Sequence, residues 1–256
     1  MDTPLFGVAW ISGSMLLSVA GFLVVRRYVD VSRLRRQHDV ANSYFSIIGT
    51  LYAVLIAFAV YVVWNGFKDA SANLQHEATE VADLSRLSTA MPDADRRNIS
   101  LALMEYLNSV VHDEFPAMVE GRSSDRTWAA VQRLWDAYGS FQPQTPQMQV
   151  YLSESLAHLT RLSDYRRTRL FTSSGSVPFA LWCFLIPGGI LLTAFTWFFG
   201  HESSLSQAAM TAALTGILTF SLFLILSLDS PYSGVARVTP QAFVLELNHV
   251  AERMPK

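Results

Sequence analysis

The residues best suited to chemistry lie in the segment HEATE, His76 to Glu80. A zinc protease helix of the H-E-x-x-H type needs a second histidine four residues after the first, so that both bind the metal from one face. Glu80 occupies that position, which excludes such a protease. A looser divalent-cation site remains conceivable, because imidazoles and carboxylates bind such ions. Its members would be His76, Glu77, Glu80, His112, Asp113 and Glu114. Two solvated polar faces are the simpler interpretation.

Other motifs for catalysis are absent from the sequence. It contains no Walker loop, serine elbow or dinucleotide glycine pattern, and no nucleophile, base and orienting group can be assembled. Cys183 is the single cysteine, so an intrachain disulfide or thiolate metal cluster is excluded. A net charge of −2 argues against nucleic-acid binding. The sequence therefore predicts no enzyme activity, cofactor or metal.

A row of polar residues lies inside an apolar run, at intervals of four. The row consists of Gln207, Thr211, Thr215 and Thr219. Hydroxyls in a membrane helix can bond their own backbone or a neighbouring helix, or they can line a wet stripe that ions reach. Both interpretations stay open, and Thr211, Thr215 and Thr219 are candidates for a pathway.

Small residues form two further rows with the same spacing. The rows are Gly49, Ala53 and Ala57 in one apolar run and Ala208, Ala212 and Gly216 in another. Small side chains let membrane helices approach closely, so both rows predict packing seams. Pro187-Gly188-Gly189 predicts a kink or break in a third run, since proline removes one backbone hydrogen bond.

The elements that carry these rows are four long apolar runs, at residues 4–25, 44–67, 177–200 and 205–228. Each is near the roughly 20 residues that span a hydrocarbon core. Charged residues make up 16% of the chain, against roughly 25% in soluble domains. We predict an all-α integral membrane protein, with two plus two transmembrane helices flanking a soluble helical-bundle insert at 68–176 and a C-terminal tail at 229–256.

The loop at 26–43 is rich in arginine: Arg26, Arg27, Arg33, Arg35 and Arg36. Such a cluster favours a cytoplasmic position or contact with anionic lipid headgroups. The first run lacks a basic start and is too long for a signal peptide. We therefore expect it to remain in the mature protein.

The second run continues beyond the membrane as YVVWNGFKDASANLQHEATE. Phe67, Leu74, Val81 and Ser88 recur every seven residues, which is typical of a helix with one continuous face. Gly66 costs only about 1 kcal/mol in a helix interior. We predict one helix over 44–88. Its apolar stripe packs on the other helices of the insert, or else it contacts another copy of the chain or lines a conduit. Three further helices are predicted: the first begins at Pro92, the second ends near Gly139 and the third begins at Pro146. A turn at 120–124 separates the first two, and a Pro-Gln-rich link separates the last two.

Several stretches together resemble a bacterial bestrophin-like membrane family. They are RRQHDVANSYFSIIGTLYAVLIAFAVYVVW, FKDASANLQHEATEVADLSRL, YLNSVVHDEFPAM, RLSDYRRTRL and LDSPYSG. The last contains Asp229, Pro231 and Gly234. Bestrophins are pentameric anion channels whose second membrane helix lines the neck and continues into a cytosolic helical region. The resemblance implies a homo-oligomeric ion channel of the bacterial inner membrane, with Ala53, Ala57 and Tyr61 on the pathway.

This sequence departs from the bestrophin pattern in three places. The arginine-threonine-asparagine triplet of the neck helix is replaced by Ala59-Val60-Tyr61, and the acidic calcium clasp is reduced to Asp229. We therefore expect no calcium gating through that clasp. The arginine-rich loop favours an insert on the side opposite to that of bestrophins. The alternative function is a membrane-anchored sensor or scaffold whose insert binds a partner protein. The expected partners are other copies of the chain and membrane lipid.

Overall fold

The fold is entirely helical over the residues that the structure, a computed structural model, describes: 4–29, 38–173, 175, 177–199 and 203–254. The helices in chain order are α1 Pro4–Tyr28, α2 His38–Leu87, α3 Asp93–Ser109, α4 Phe115–Val119, α5 Asp125–Gly139, α6 Pro146–Thr172, α7 Phe179–Trp197, α8 Ser204–Asp229 and α9 Gln241–Glu252. Arg33, Arg35 and Arg36 of the predicted basic loop lie outside the described residues.

Four helices are long and apolar enough to cross a membrane, over Leu5–Tyr28, Asn42–Ala90, Phe179–Trp197 and Ser204–Asp229. Each overlaps one of the four apolar runs of the sequence, and the second extends well beyond its run. The chain divides into two compact units. The first unit contains α1, α2 up to Asn65, α7 and α8.

Close packing in the first unit depends on glycines that face large side chains. A Cβ at Gly21 of α1 would lie 2.5 Å from Cζ2 of Trp197 in α7, and one at Gly7 would lie 2.7 Å from the ring of Phe223 in α8. Real Cβ atoms do not approach other atoms so closely, so these helices meet at distances that only glycine permits.

The second unit contains α2 from Gly66 onward, the helices α3 to α6 and α9. Its core is built from the apolar faces that the sequence periodicity predicts, with Leu103, Leu134 and Leu159 fully buried. Side-chain to backbone hydrogen bonds join its helices: Asn73 Nδ2 donates to the carbonyl of Tyr165 at 2.8 Å, which links α2 to α6.

The predicted end of α5 at Gly139 and start of α6 at Pro146 are confirmed, whereas α2 begins six residues before its predicted start at residue 44. The helix across Gly66 is continuous from His38 to Leu87. The hydroxyl of Thr145 caps α6 by accepting from the Met148 amide at 3.1 Å, as expected for threonine at a helix start. Gly121 has a φ of 70° in the predicted turn before α5.

The C-terminal residues contribute a helix to the second unit that the sequence analysis treated only as a tail. In α9, Phe243 and Val250 are fully buried in the core. Arg96 Nη2 of α3 donates to the carbonyl of Arg253 at 2.5 Å just after α9 ends. The helical bundle of this unit therefore includes α9 as well as the four expected members.

Candidate functional site

The apolar half of α2 has one buried face and one exposed face. Tyr52, Ala59 and Val63 are buried within the first unit. At 3.6 residues per turn, Ala57 and Tyr61 lie on the opposite face. Ala57 is exposed and Tyr61 is 64% exposed, so none of the helices that the structure describes covers them.

The small-residue row of α2 likewise finds no partner among the residues that the structure describes. Gly49 has no atom within 4 Å of the position that a Cβ would take, and Ala53 is exposed. The packing seam that we predicted along Gly49, Ala53 and Ala57 is thus unfilled in a single copy. A small, open helix face of this kind is suited to contact with another copy.

Tyr52 fixes the buried face of α2 against the Pro-Gly-Gly segment of α7. Its hydroxyl donates to the carbonyl of Leu185 at 2.6 Å. Its ring lies where a Cβ at Gly188 would stand, at 2.6 Å from Cε2. Helix α7 continues through Pro187. Of the two predicted outcomes, a kink or a break, the break is therefore wrong. The glycines instead form a flat surface that receives the tyrosine ring.

The threonine row of α8 lies in contact with α1 and α7. Thr215 is within 2.8 Å of the Ser18 hydroxyl, and Ser14 donates to Thr219 at 2.9 Å. Thr211 donates to the Thr196 hydroxyl at 3.2 Å. All three threonines are buried. The hydroxyls therefore bond between helices of one chain, which is one of the two interpretations that the sequence allowed.

The small-residue row of α8 differs along its length. A Cβ at Gly216 would lie 3.1 Å from Sδ of Met15 in α1, which shows that α1 and α8 approach closely there. Ala208 and Ala212 are partly exposed. In the first turn of α8, Gln207 Nε2 donates to the carbonyl of Thr196 in α7 at 3.1 Å.

A network of buried charges occupies the core of the second unit. Arg169 of α6 donates to Glu77 of α2, with Nε to Oε2 at 2.8 Å and Nη2 to Oε1 at 2.9 Å. The same Nη2 lies 2.7 Å from Glu114 Oε2, and Arg166 Nε donates to the same oxygen at 3.2 Å. Two carboxylates thus face two guanidinium groups, so the network carries no net charge.

The surroundings of the network stabilise its charged form. Tyr106 donates from its hydroxyl to Glu77 Oε1 at 2.5 Å. Burial and then the Glu77 carboxylate raise the pKa of Tyr106 well above its usual value, so this hydroxyl keeps its proton. Burial opposes the charge of Arg169, but Glu77 and then Glu114 outweigh it and hold the pKa of Arg169 well above its usual range.

A π-helical turn, Val110–Glu114, brings Glu114 into this network. The turn joins α3 to α4 and adds a residue to the helical spacing. As a result, two neighbours in sequence, Glu114 and Phe115, both face the core. The ring of Phe115 lies 5.5 Å below the Arg169 guanidinium, a cation–π contact that helps to hold the buried cation.

Most of the six residues considered for a cation site make other contacts within the chain. Glu77 and Glu114 belong to the buried charge network. His76 stacks on Tyr165 with ring centroids 5.4 Å apart. Glu80 is bonded to His158 Nδ1 at 2.6 Å and to Arg161 Nε at 3.2 Å. Within the described residues, no group of three or more His, Cys, Asp or Glu side chains is placed to hold a metal ion. The interpretation of two solvated faces is wrong for Glu77 and Glu114, which are fully buried.

Comparison with known proteins identifies the family. Residues 12–243 match the model of the Bestrophin-like domain. The chain belongs to the Bestrophin-like family. A search of curated proteins gave no match.

Solved structures share the bestrophin-like fold. Three crystal structures of a bacterial bestrophin homologue from Klebsiella pneumoniae superpose with TM-scores of 0.73, 0.71 and 0.68, at 12%, 12% and 14% sequence identity. They cover 96%, 96% and 95% of this chain, and 99%, 99% and 97% of the homologue. The likeness therefore extends over nearly the whole of both chains.

The LDSPYSG segment of this bestrophin-like chain joins α8 to the second unit. Asp229 accepts a hydrogen bond from the Val177 amide, at 2.8 Å from Oδ1, just before α7 begins. Tyr232 is buried, and its hydroxyl donates to the carbonyl of Ala70 in α2 at 3.3 Å. Gly234 has a φ of 85°, and the Pro231 carbonyl accepts from the Val238 amide at 2.7 Å. Tyr232 therefore packs in the core of the second unit.

Proposed function

We propose that the protein is a subunit of a homo-oligomeric ion channel in the bacterial inner membrane and that α2 lines its pathway. The observation that carries this proposal is the exposed face of α2 at Ala57 and Tyr61. A ring of copies around an axis covers such a face without any further element. Membership of the Bestrophin-like family supports the same arrangement.

The pathway face of α2 is apolar and free of charged residues over 44–67. A constriction of this kind controls ion passage by wetting and drying. Resemblance to bestrophins favours anions as the permeant species. We place Ala53, Ala57 and Tyr61 on the pathway. Thr211, Thr215 and Thr219 belong, on this proposal, to the seam between α8 and its neighbours within each subunit.

The proposed membrane arrangement is two helices, an insert and two helices. Residues 4–25, 44–67, 177–200 and 205–228 span the bilayer, and 68–176 lie outside the hydrocarbon core as a helical vestibule. The length and apolar character of the four candidate helices support this arrangement.

Cysteine modification of the reconstituted channel tests the pathway. In a Cys183→Ser background, Ala57→Cys and Tyr61→Cys are each treated with an anionic and a cationic methanethiosulfonate during planar-bilayer recording. We expect the anionic reagent to lower anion current and the cationic one to raise it. Leu191→Cys is the matched control, because Leu191 is also exposed but lies on α7.

Two results would remove the proposal. One is a protein that stays monomeric in lipid nanodiscs and carries no current. The other is an equal response of Ala57→Cys and Leu191→Cys to both reagents, which would place Ala57 on an ordinary lipid-facing surface.

A second candidate is a membrane-anchored scaffold, and a groove between α5 and α6 favours it. The groove has a volume of about 640 Å³ and contains Trp128 and Trp135. Trp128 is 58% exposed, and exposed tryptophans are frequent anchors of protein interfaces. Native mass spectrometry in nanodiscs separates the candidates, because a scaffold does not need the closed ring that a central pathway requires.

A further inference from the structure

A crevice in the first unit lies among α1, α7 and α8, away from the exposed face of α2. It has a volume of about 530 Å³, within the range of roughly 300–1,000 Å³ that is typical of ligand sites. Its lining is mainly apolar and includes Trp10, Trp182, Ile190, Trp197 and Leu222. All three helices are among the candidate membrane spans, so the surrounding solvent is lipid.

Four hydroxyl groups of the crevice pair with one another. They are those of Ser14, Ser18, Thr215 and Thr219. Thr193 and Trp197 also line the crevice, and the buried indole N–H of Trp197 has no hydrogen-bond partner within the described residues. Ser14 bonds to Thr219 at 2.9 Å, and Thr215 bonds to Ser18 at 2.8 Å. Because these four hydroxyl groups satisfy one another, water or an ion gains little from them, and a hydrocarbon chain leaves all four paired.

The shape of the crevice fits a single chain. From Trp182 to Trp197 it follows α7 for about 22 Å, at about 1.5 Å per residue. An apolar space of about 530 Å³ that extends along a helix suits one extended acyl chain better than a compact ligand.

Two arginines lie at one end of α1, beyond the Trp197 end of the crevice. Trp197 packs on Gly21, about one and a half turns before Arg26. The Arg26 guanidinium lies 5.7 Å from the Phe22 ring centroid and 3.5 Å from the Gln207 amide oxygen, both of which are neutral. Arg27 is exposed. This end of the crevice therefore presents positive charge to the membrane surface, where anionic lipid phosphates are attracted.

We propose that each subunit binds one anionic phospholipid of the bilayer, with an acyl chain in the α1/α7/α8 crevice and its phosphate at Arg26 and Arg27. The apolar passage selects the chain, and the two guanidinium groups select the anionic headgroup. This proposal rests on the membrane placement of the helices in the proposed function and does not depend on ion conduction.

Native mass spectrometry tests the lipid site. The protein is released from nanodiscs of equal parts dioleoyl phosphatidylglycerol and dioleoyl phosphatidylcholine, and the lipids that remain bound are counted. We expect phosphatidylglycerol to be retained in preference, at one per subunit. Arg26→Gln and Arg27→Gln should each lower this preference by about fivefold, while Arg126→Gln on α5, an exposed arginine, should leave it unchanged.

A matched pair of substitutions tests the crevice itself. Ile190 lines the crevice, and its neighbour Leu191 does not, although both are exposed. Ile190→Trp should fill the passage and abolish lipid retention, whereas Leu191→Trp should retain the lipid. If Ile190→Trp does not purify, the arginine variants and their control decide the question.

Several outcomes would overturn the proposal. They are equal retention of the two lipids by the unaltered protein, equal lipid loss in Ile190→Trp and Leu191→Trp, and an altered subunit number in Ile190→Trp with lipid retention unchanged. The last result would assign the crevice to a second copy of the chain. The same spectra report the subunit number, so failure of the lipid site is distinguishable from failure of the channel.

Discussion

Arg169 and Glu77 form a fully buried, two-point ion pair between α6 and α2, with N–O distances of 2.8 and 2.9 Å. Paired hydrogen bonds of this type fix both the distance and the orientation of the two side chains. Because α6 and the part of α2 beyond Gly66 both belong to the second unit, this pair fixes how those two helices lie against each other.

Removing the charge of Arg169 should destabilise the protein strongly. Arg169→Gln leaves Glu77 as an uncompensated buried charge, at a cost of about 3–5 kcal/mol. We expect a lower thermal transition in detergent by circular dichroism. Arg167→Gln is the control, because that side chain is 80% exposed. Adding Glu77→Gln to Arg169→Gln should recover part of the loss. Equal transitions for the Arg167 and Arg169 variants would contradict a stabilising role of the pair.

The contact between Tyr52 and the α7 glycines predicts a different effect of two Gly→Ala changes. Gly188→Ala places a Cβ into the Tyr52 ring, and overpacking of this kind costs about 1–3 kcal/mol. Gly13→Ala in α1 meets no atom within 4 Å and should be neutral or slightly stabilising. The temperature of thermal unfolding in detergent measures the effect of each of the two substitutions. Combining Tyr52→Ala with Gly188→Ala should relieve the clash, and an absence of such relief would show that Tyr52 is not the obstacle.

Asp229 should protect the start of α7 through the hydrogen bond it accepts from Val177. Asp229→Ala removes an ionised acceptor, at a cost of about 1.5–3 kcal/mol, while Asp229→Asn keeps an oxygen and should cost less. Hydrogen exchange followed by mass spectrometry should show faster exchange at the segment containing Val177. Ser230→Ala provides the neighbouring control. Unchanged exchange in Asp229→Ala would show that other contacts hold the start of α7.

Tyr232 should make the stability of the second unit sensitive to strongly alkaline pH. Burial raises its pKa to about 12 from an ordinary value of 10.0. Its neutral form is favoured by folding, so this contribution is fully present below about pH 10 and is lost as the pH rises through 12. The loss is of the order of 2 kcal/mol. The free energy of unfolding, measured by chemical denaturation between pH 9 and 12, should therefore fall more steeply with pH for the unaltered protein than for Tyr232→Phe. Parallel curves would show that Tyr232 ionises as easily in the folded protein as in the unfolded chain.

The helices were predicted well because their signals are local. The four apolar runs, the caps at Pro92 and Thr145 and the heptad spacing past Gly66 each depend on residues close together in the chain. A low cost for one glycine in a helix was enough to predict the continuous α2. Helix α9 was missed because its apolar pattern is short, and only its position beside α3 shows that it belongs to the core.

The candidate site depended on contacts between distant parts of the chain. Glu77 and Arg169 are 92 residues apart, and each by itself has the pattern of a solvated polar residue. The π-helical turn that directs Glu114 inward has no distinctive sequence signal. Whether a threonine row bonds to a neighbouring helix or to water likewise depends on which helix lies beside it, so periodicity could not decide between the two.

The sequence by itself determined the membrane class, the helices and the family of this protein, because hydrophobicity and helical spacing are properties of short stretches. Only the tertiary structure decided which polar groups are buried and which apolar face is left open. Burial of a charge is tolerated where a partner of opposite sign lies within hydrogen-bonding distance, and that partner comes from another helix. The open face at Ala57 and Tyr61 is equally a property of packing, since none of the described helices covers that face of α2.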